Sequence, residues 1–349
     1  GTRRAAVMSP WADDRETGNQ QAGAGVIKAL ILEGPRQDRP LMALGLLLAG
    51  VLVLSFQDML VKQTAADTSF WQLQSVRSAF NLSMILGIAY ISGGVRLAWP
   101  ARPLPALARG LALTFCMVCF FGVSQKISVA QMATGLYTYP LFVSLLAGPF
   151  LGERIGIWRI FALCLGAAGC LLVLNPFGDA FSLYQVVPVM AGFFYAWNIL
   201  ILRRYCRQES PLALVFIVSL MFLCSGLVGA AVTAIVPISG DLRAELPFLL
   251  VSWPSLTMVL LVTFLGLSCL NIAGNICISR AYQTADSSRL APLDFTYLLF
   301  VALWGRLFFD EWPTPLAGVG MAMIAVAGII TAMREQRQQR LRKMAGTPA

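Results

Sequence analysis

The sequence predicts an all-α integral membrane protein of ten transmembrane helices, arranged as two inverted-topology five-helix repeats. Three observations predict it. Hydrophobic residues make up 58% of the 349-residue chain and charged residues only 12%, against roughly 25% charged in ordinary soluble domains. The apolar residues gather into ten runs near the bilayer-spanning length of about 20 residues. One of these runs is repeated, five spans later.

The elements follow in order. Residues 1–40 are polar, without the apolar core of a signal peptide, and read as a flexible cytoplasmic tail. Spans are expected at 41–61, 70–92, 104–124, 131–151, 157–175, 183–202, 212–236, 255–278, 288–308 and 315–333. Turn formers separate them, among them Ser92-Gly93-Gly94, Asn175-Pro176, Ser239-Gly240, and Pro313 with Pro315. The first five spans form a repeat over 41–176 and the second five over 177–333. Residues 334–349 make a basic cytoplasmic tail.

Charge sets the orientation. With both termini inside, 21 Lys and Arg residues fall on the inner side, counting Arg109 among the loop residues. Only Lys62, Lys126, Arg243 and Arg306 fall outside, and Arg77 lies within span two. The positive-inside rule then places the termini in the cytoplasm, in the cytoplasmic (inner) membrane. The net charge of +9 punctuates apolar runs and forms no basic patch with stacking aromatics, so no nucleic-acid partner is expected. The lipid bilayer and a small-molecule substrate are the partners implied. A homodimer is compatible with the sequence, which carries no readable signal for it.

The repeat pairs ATGLYTYPLFVSLLAGPFLGE (133–153) with APLDFTYLLFVALWGRLFFDE (291–311). At an offset of 158 the identities include Thr138/Thr296, Tyr139/Tyr297, Leu141/Leu299, Phe142/Phe300 and Glu153/Glu311. Copies five spans apart enter the membrane in opposite directions. That is the sequence mark of inverted-repeat carriers, in which two half-shells expose a shared site to either side in turn.

These segments resemble the signature region of the drug/metabolite transporter superfamily, the EamA-type carriers. The resemblance rests on the Pro-containing fourth span closing on LGER (Leu151 to Arg154) and on the Gly-rich LGAAGCLLVLNP (Leu165 to Pro176). It rests also on RAYQTADSSRLAPLDFTYLLF followed by FFDEWP. It covers residues 41–333. It implies two inverted five-helix halves with a substrate cavity between them. Within the superfamily the chain is most similar to bacterial exporters of metabolites and amino acids and to uptake carriers for riboflavin or S-adenosylmethionine.

The candidate substrate- and ion-binding residues are Asp58, Arg77, Tyr139, Trp197, Asn271, Asn275, Asp294 and Tyr297. An arginine within a span costs about 2.5–3.5 kcal/mol on insertion scales and so faces a partner or a cavity. Arg77 has a plausible partner in Asp58, as a structural ion pair or as a substrate- or proton-coupling pair. Asp294 follows Pro292, and a helix interruption beside a carboxylate is a common way to build an ion site. Asn271 and Asn275, four apart, share one helix face. Trp71, Tyr137, Asn198 and Trp304 are further polar-tipped residues at membrane depth, each read singly as packing rather than binding, while as a set some should contact ligand. Glu153 and Glu311 end their spans before the next helix and read as structural, favouring the positive helix N-terminus that follows. Gly166 to Gly169 and Gly318 to Gly320 read as close helix contacts.

Other activities find little support. The sequence contains no histidine, which removes a rhomboid-type protease and leaves no ligand set for zinc. Cys116-x-x-Cys119 has no second pair at ligand spacing and reads as two small residues of a membrane helix. No glycine-rich phosphate loop is present. No cofactor, metal or catalytic residue is expected. An integral-membrane enzyme, or a receptor or scaffold that transports nothing, remain the competing classes.

Overall fold

A computed structural model describes residues 40–92, 94–151, 157–175, 181–206, 209–284 and 290–344. The N-terminal tail, Glu153 and the rest of LGER after Leu151 lie outside these residues. Among those described every regular element is helical and there is no strand. In chain order the helices are α1 (Pro40–Thr64), α2 (Phe70–Ser92), α3 (Pro103–Phe121), α4 (Val129–Leu136), α5 (Tyr139–Leu151) and α6 (Ile157–Leu174). There follow α7 (Val187–Tyr205), α8 (Pro211–Ile235), the short α9 (Gly240–Glu245) and α10 (Pro247–Leu250), α11 (Met258–Thr284), α12 (Thr296–Phe309) and α13 (Pro315–Met344). A 3₁₀ turn, Ala291–Phe295, leads into α12.

By length and composition six segments among the described residues can cross a membrane: Leu41–Thr64, Pro103–Phe121, Val129–Leu146, Leu183–Leu202, Leu212–Ile235 and Met258–Ala281. Ile160–Leu174 and Pro315–Ile330 are shorter apolar helices. The 23-residue α2 is diluted by Gln72, Gln74, Arg77 and Asn81, and α12 has only 14 residues. The protein is an integral membrane protein. Its surface says so: Leu227, Val228, Val232 and Ile235 on α8, and Val259 and Val262 on α11, stand exposed. Meanwhile Gln57, Gln72, Gln74, Arg77 and Asn81 are buried. Apolar outside and polar inside is stable where the solvent is lipid.

The helices pair face to face. α1 packs on α11, α3 on α7, α2 on α8, and α6 on α13, while α5 lies on α7 and α12 on α1. Small residues set the closest approaches, since packing rather than a hydrophobic force joins helices in lipid. A Cβ at Gly169 would stand 2.7 Å from the Gly320 carbonyl oxygen, and one at Gly320 would stand 2.5 Å from that of Gly169. Gly50 and Gly274 do the same for α1 and α11. Gly318, expected in such a contact, has nothing within 4 Å of its Cβ position.

The last helix, α13, carries on through the basic C-terminal stretch as far as Met344. The run at 131–151 is not one helix. It breaks after α4, where Tyr137 has ψ near 4° and Pro140 supplies no N–H to the preceding turn. The chain before α12 breaks at the matching place. At both breaks the matched threonine closes a carbonyl three residues back: Thr138 Oγ1 donates to Gly135 O and Thr296 Oγ1 to Leu293 O, each at 2.6 Å.

Candidate functional site

The breaks deliver tyrosines to the interior. Tyr297, the second residue of α12 and buried, donates its hydroxyl to Asp58 Oδ2 at 2.5 Å. Gln57 Nε2 donates to Asp58 Oδ1 at 3.0 Å, and Asn271 Nδ2 donates to Gln57 Oε1 at 2.9 Å. Three helices, α1, α11 and α12, thus converge on one half-buried carboxylate. Away from bulk water a carboxylate must be supplied with donors, and the tyrosine brings one on an apolar ring.

The second carboxylate is held from the other half of the chain. Tyr139, the first residue of α5, reaches Asp294 Oδ2 at 3.5 Å. The Tyr137 hydroxyl donates to the Asp294 backbone carbonyl at 3.2 Å. The Tyr137 ring stacks on that of Tyr297, with centroids 5.0 Å apart and planes 15° apart. Tyr139 meets Tyr195 of α7 edge-on at 4.9 Å. The matched tyrosines therefore each bind a carboxylate, and the rings join the two acids into one cluster.

Arg77 does not close an ion pair with Asp58. Among the described residues none forms between them, and both Asp58 oxygens are already bonded to Tyr297 and Gln57. The two charges act on one another only at longer range. Arg77 is 4% exposed, and its Nε and Nη1 have no hydrogen-bond partner. It lies on a stripe of α2 with Gln74, Ser78 and Asn81, all buried and all carrying unpaired polar atoms. Arg109 also departs from expectation. It belongs to the apolar segment Pro103–Phe121 rather than to a loop, with its Nε buried and unpaired.

Of the remaining candidates, Trp197 stands apart. It packs on Phe150, with ring centroids 5.0 Å apart. Asn275 is exposed and returns its amide to the Asn271 carbonyl at 2.8 Å. Trp71 donates to Leu249 O at 2.7 Å and Trp304 to Ser55 Oγ at 3.0 Å, both holding helices together. Sequence reasoning overlooked Gln57, Tyr195, Arg109 and the polar α2 residues flanking Arg77. The last were visible as Gln74, Arg77, Ser78 and Asn81, spaced i, i+3, i+4, i+7 on a single face.

Glu311 is structural, but it does not serve the helix that follows it; Thr314 caps that helix through Ala317 N at 3.2 Å. Glu311 binds Lys62 Nζ at 2.9 and 3.1 Å and accepts from Val129 N at 3.3 Å, at the start of α4. Lys62 also donates to Ile127 O at 3.0 Å. Three connections are tied together at the end of the bundle where α1 finishes. A cleft of ≈470 Å³ adjoins this tie, lined by Ser128, Gln131, Gln185, Glu311, Trp312 and Thr314 among others. None of the candidate binding residues lines it. Among the described residues no cluster of three or more Cys, Asp or Glu residues could hold a metal ion.

Residues 41–175 match the EamA-like transporter family. That match, with the transporters to which the chain is similar, supports membership of the drug/metabolite transporter superfamily. Three similar proteins align along nearly their whole lengths. The pseudopaline exporter of Pseudomonas aeruginosa is 27% identical over 299 residues, 82% of this chain and 97% of the exporter. A riboflavin transporter of Rhizobium johnstonii is 27% identical over 306 residues, covering 85% and 93%. An S-adenosylmethionine uptake transporter of Rickettsia bellii is 24% identical over 300 residues, covering 85% and 95%. A solved crystal structure superposes with a TM-score of 0.54 at 18% identity, over 84% of this chain and 99% of the other. That likeness speaks for the fold alone.

Proposed function

We propose that this superfamily member is a secondary carrier that moves a small polar metabolite across the cytoplasmic membrane by alternating access. In this reading ten spans form two inverted halves, with both termini in the cytoplasm. Spans four and nine are the broken elements α4–α5 and Ala291–Phe309. The observation that carries the reading is the matched pair of breaks. Each has its threonine closure followed by a tyrosine on an interior carboxylate, Asp294 for Tyr139 and Asp58 for Tyr297.

The helix pairing supports it. Numbered as spans, the strongest pairs are 1–8, 3–6, 2–7 and 5–10, with 4–6 and 9–1 behind them. Exchanging each span for the one five places on returns the same set. Two halves related in this way have two packings of similar energy, one open to each side. The relatives that export pseudopaline or take up riboflavin or S-adenosylmethionine indicate a polar organic solute of a few hundred daltons. With no histidine in the chain, Asp58 and Asp294 are the groups through which a proton gradient would be coupled.

The test is flux in sealed proteoliposomes containing the full chain, with and without an imposed pH gradient. Riboflavin, S-adenosylmethionine and amino acids are the probes. Saturable flux of at least one solute, absent from empty vesicles, is expected. Binding without flux would make the protein a receptor, and chemical conversion of the solute would make it an enzyme.

A further inference from the structure

Every polar group buried in a finished protein is expected to have a partner, and the ones that lack one need a reason. Of the eleven such side-chain atoms among the described residues, six lie together. Gln74 Nε2 and Oε1, Arg77 Nε and Nη1, Ser78 Oγ and Asn81 Oδ1 are all buried without a partner, on one stripe of one helix. Gln74 and Ser78 are 0% exposed, Arg77 4% and Asn81 7%. Leaving a buried donor or acceptor empty costs about 1–3 kcal/mol, and more where the group is charged. Helix packing alone gives no return for four such residues in a row.

The stripe also has a definite chemistry. Its only charge is a guanidinium, which presents a planar fork of N–H donors suited to two oxygens at once. Hydroxyl and amide groups flank it one turn to either side. The nearby acid is not its partner, because Asp58 is already occupied by Tyr297 and Gln57. The backbone at this point is fixed, since Ser268 Oγ of α11 donates to Arg77 O at 3.0 Å. A rigid helix therefore holds an uncommitted cation and ready hydrogen-bonding groups inside the bundle.

We propose that the Gln74–Arg77–Ser78–Asn81 stripe of α2 is an oxyanion-binding site that receives a carboxylate or phosphate of the transported solute. This rests on the carrier reading above and narrows its substrate class to anions and zwitterions. The guanidinium takes two oxygens of the anion. Ser78, Asn81 and Gln74 complete its shell and regain the hydrogen bonds they lack when the site is empty.

The test uses the full chain in lipid nanodiscs, with binding followed by thermal shift and titration calorimetry. The probes are matched pairs: N-acetyl-L-phenylalanine against its amide, and riboflavin 5′-phosphate against riboflavin. At least one oxyanion is expected to bind, with its neutral counterpart weaker by about tenfold or more. The carboxylate and phosphate arms tell the two sources apart. Arg77→Gln is expected to erase the preference and Arg77→Lys to retain part of it. Gln74→Met and Asn81→Leu guard against a trivial loss of folding. Each removes an unpaired buried group, so each should raise the melting temperature of the empty protein while weakening anion binding. A purely structural stripe would instead lose stability.

Equal binding of charged and neutral members would overturn the proposal. So would no response to any oxyanion, or unchanged anion affinity in Arg77→Gln. Flux of the bound oxyanion that is equal in wild type and Arg77→Gln would also sink the site while leaving the carrier intact. Absence of flux for every solute, with anion binding preserved, would sink the carrier reading and leave the site standing.

Discussion

Asp58 shows how a single carboxylate can organise a membrane interior. Its two oxygens take different donors, a tyrosine from α12 and a glutamine from its own helix. Tyr297→Phe removes only the first. A buried hydrogen bond to a charged group contributes about 1.5–3 kcal/mol, so a lower melting temperature is expected, and flux is expected to fall in the protein that still elutes as folded. Asp58→Asn keeps the shape, removes the charge, and is expected to abolish gradient-driven flux while leaving solute exchange measurable. Wild-type rates in both variants would remove Asp58 from the mechanism. Some of this was legible in the sequence. Asp58, Asp294, Tyr139 and Tyr297 stand out as polar groups in apolar runs, and the structure gathers all four. Gln57 did not stand out, because its role depends on Asn271, 214 residues away. Trp197 stood out for the same reason as the tyrosines, yet it packs on Phe150. An amphipathic ring at membrane depth does not disclose which way it faces.

At the scale of the helix, several of the apolar runs were legible to within a few residues, since a bilayer imposes the length of what crosses it. The run at 70–92 coincides with α2. The interruption of the fourth span was not read, although Pro140 lies just beyond it, because proline in a membrane helix is often accommodated without a break. The matched threonines offer a test. Thr138→Val or Thr296→Val leaves a carbonyl without its 2.6 Å donor. Each is expected to cost about 1–3 kcal/mol, read as a lower melting temperature in detergent, and to misplace the tyrosine that follows. The α6–α13 contact makes a sharper one. Gly320→Leu would drive a side chain into the Gly169 carbonyl, so loss of folded protein is expected. Gly318→Leu, with open space around it, should be neutral. Equal tolerance at the two positions would refute the packing described.

For the molecule as a whole, the Lys62–Glu311 tie closes one end of the bundle, a mouth that the proposed carrier would have to open. It joins the connections α1–α2, α3–α4 and α12–α13 through one carboxylate. Glu311→Gln keeps the shape and removes the charge. A cysteine placed at Ser128, in a background without other cysteines, is then expected to react several-fold faster with a membrane-impermeant maleimide. An unchanged rate would mean that the tie does not hold that mouth shut. Sequence alone assigned Glu311 to the following helix, since a local rule was the only one available; its true partners are distant in the chain. The polar stripe of α2 has a consequence for how the protein is made. A segment carrying Arg77 with two glutamines and an asparagine gains little on its own from leaving the translocon for lipid. It should enter the bilayer only in the company of its neighbours. In a cell-free glycosylation-mapping assay, α2 alone is expected to integrate poorly, and fusing α1 ahead of it should rescue integration during synthesis.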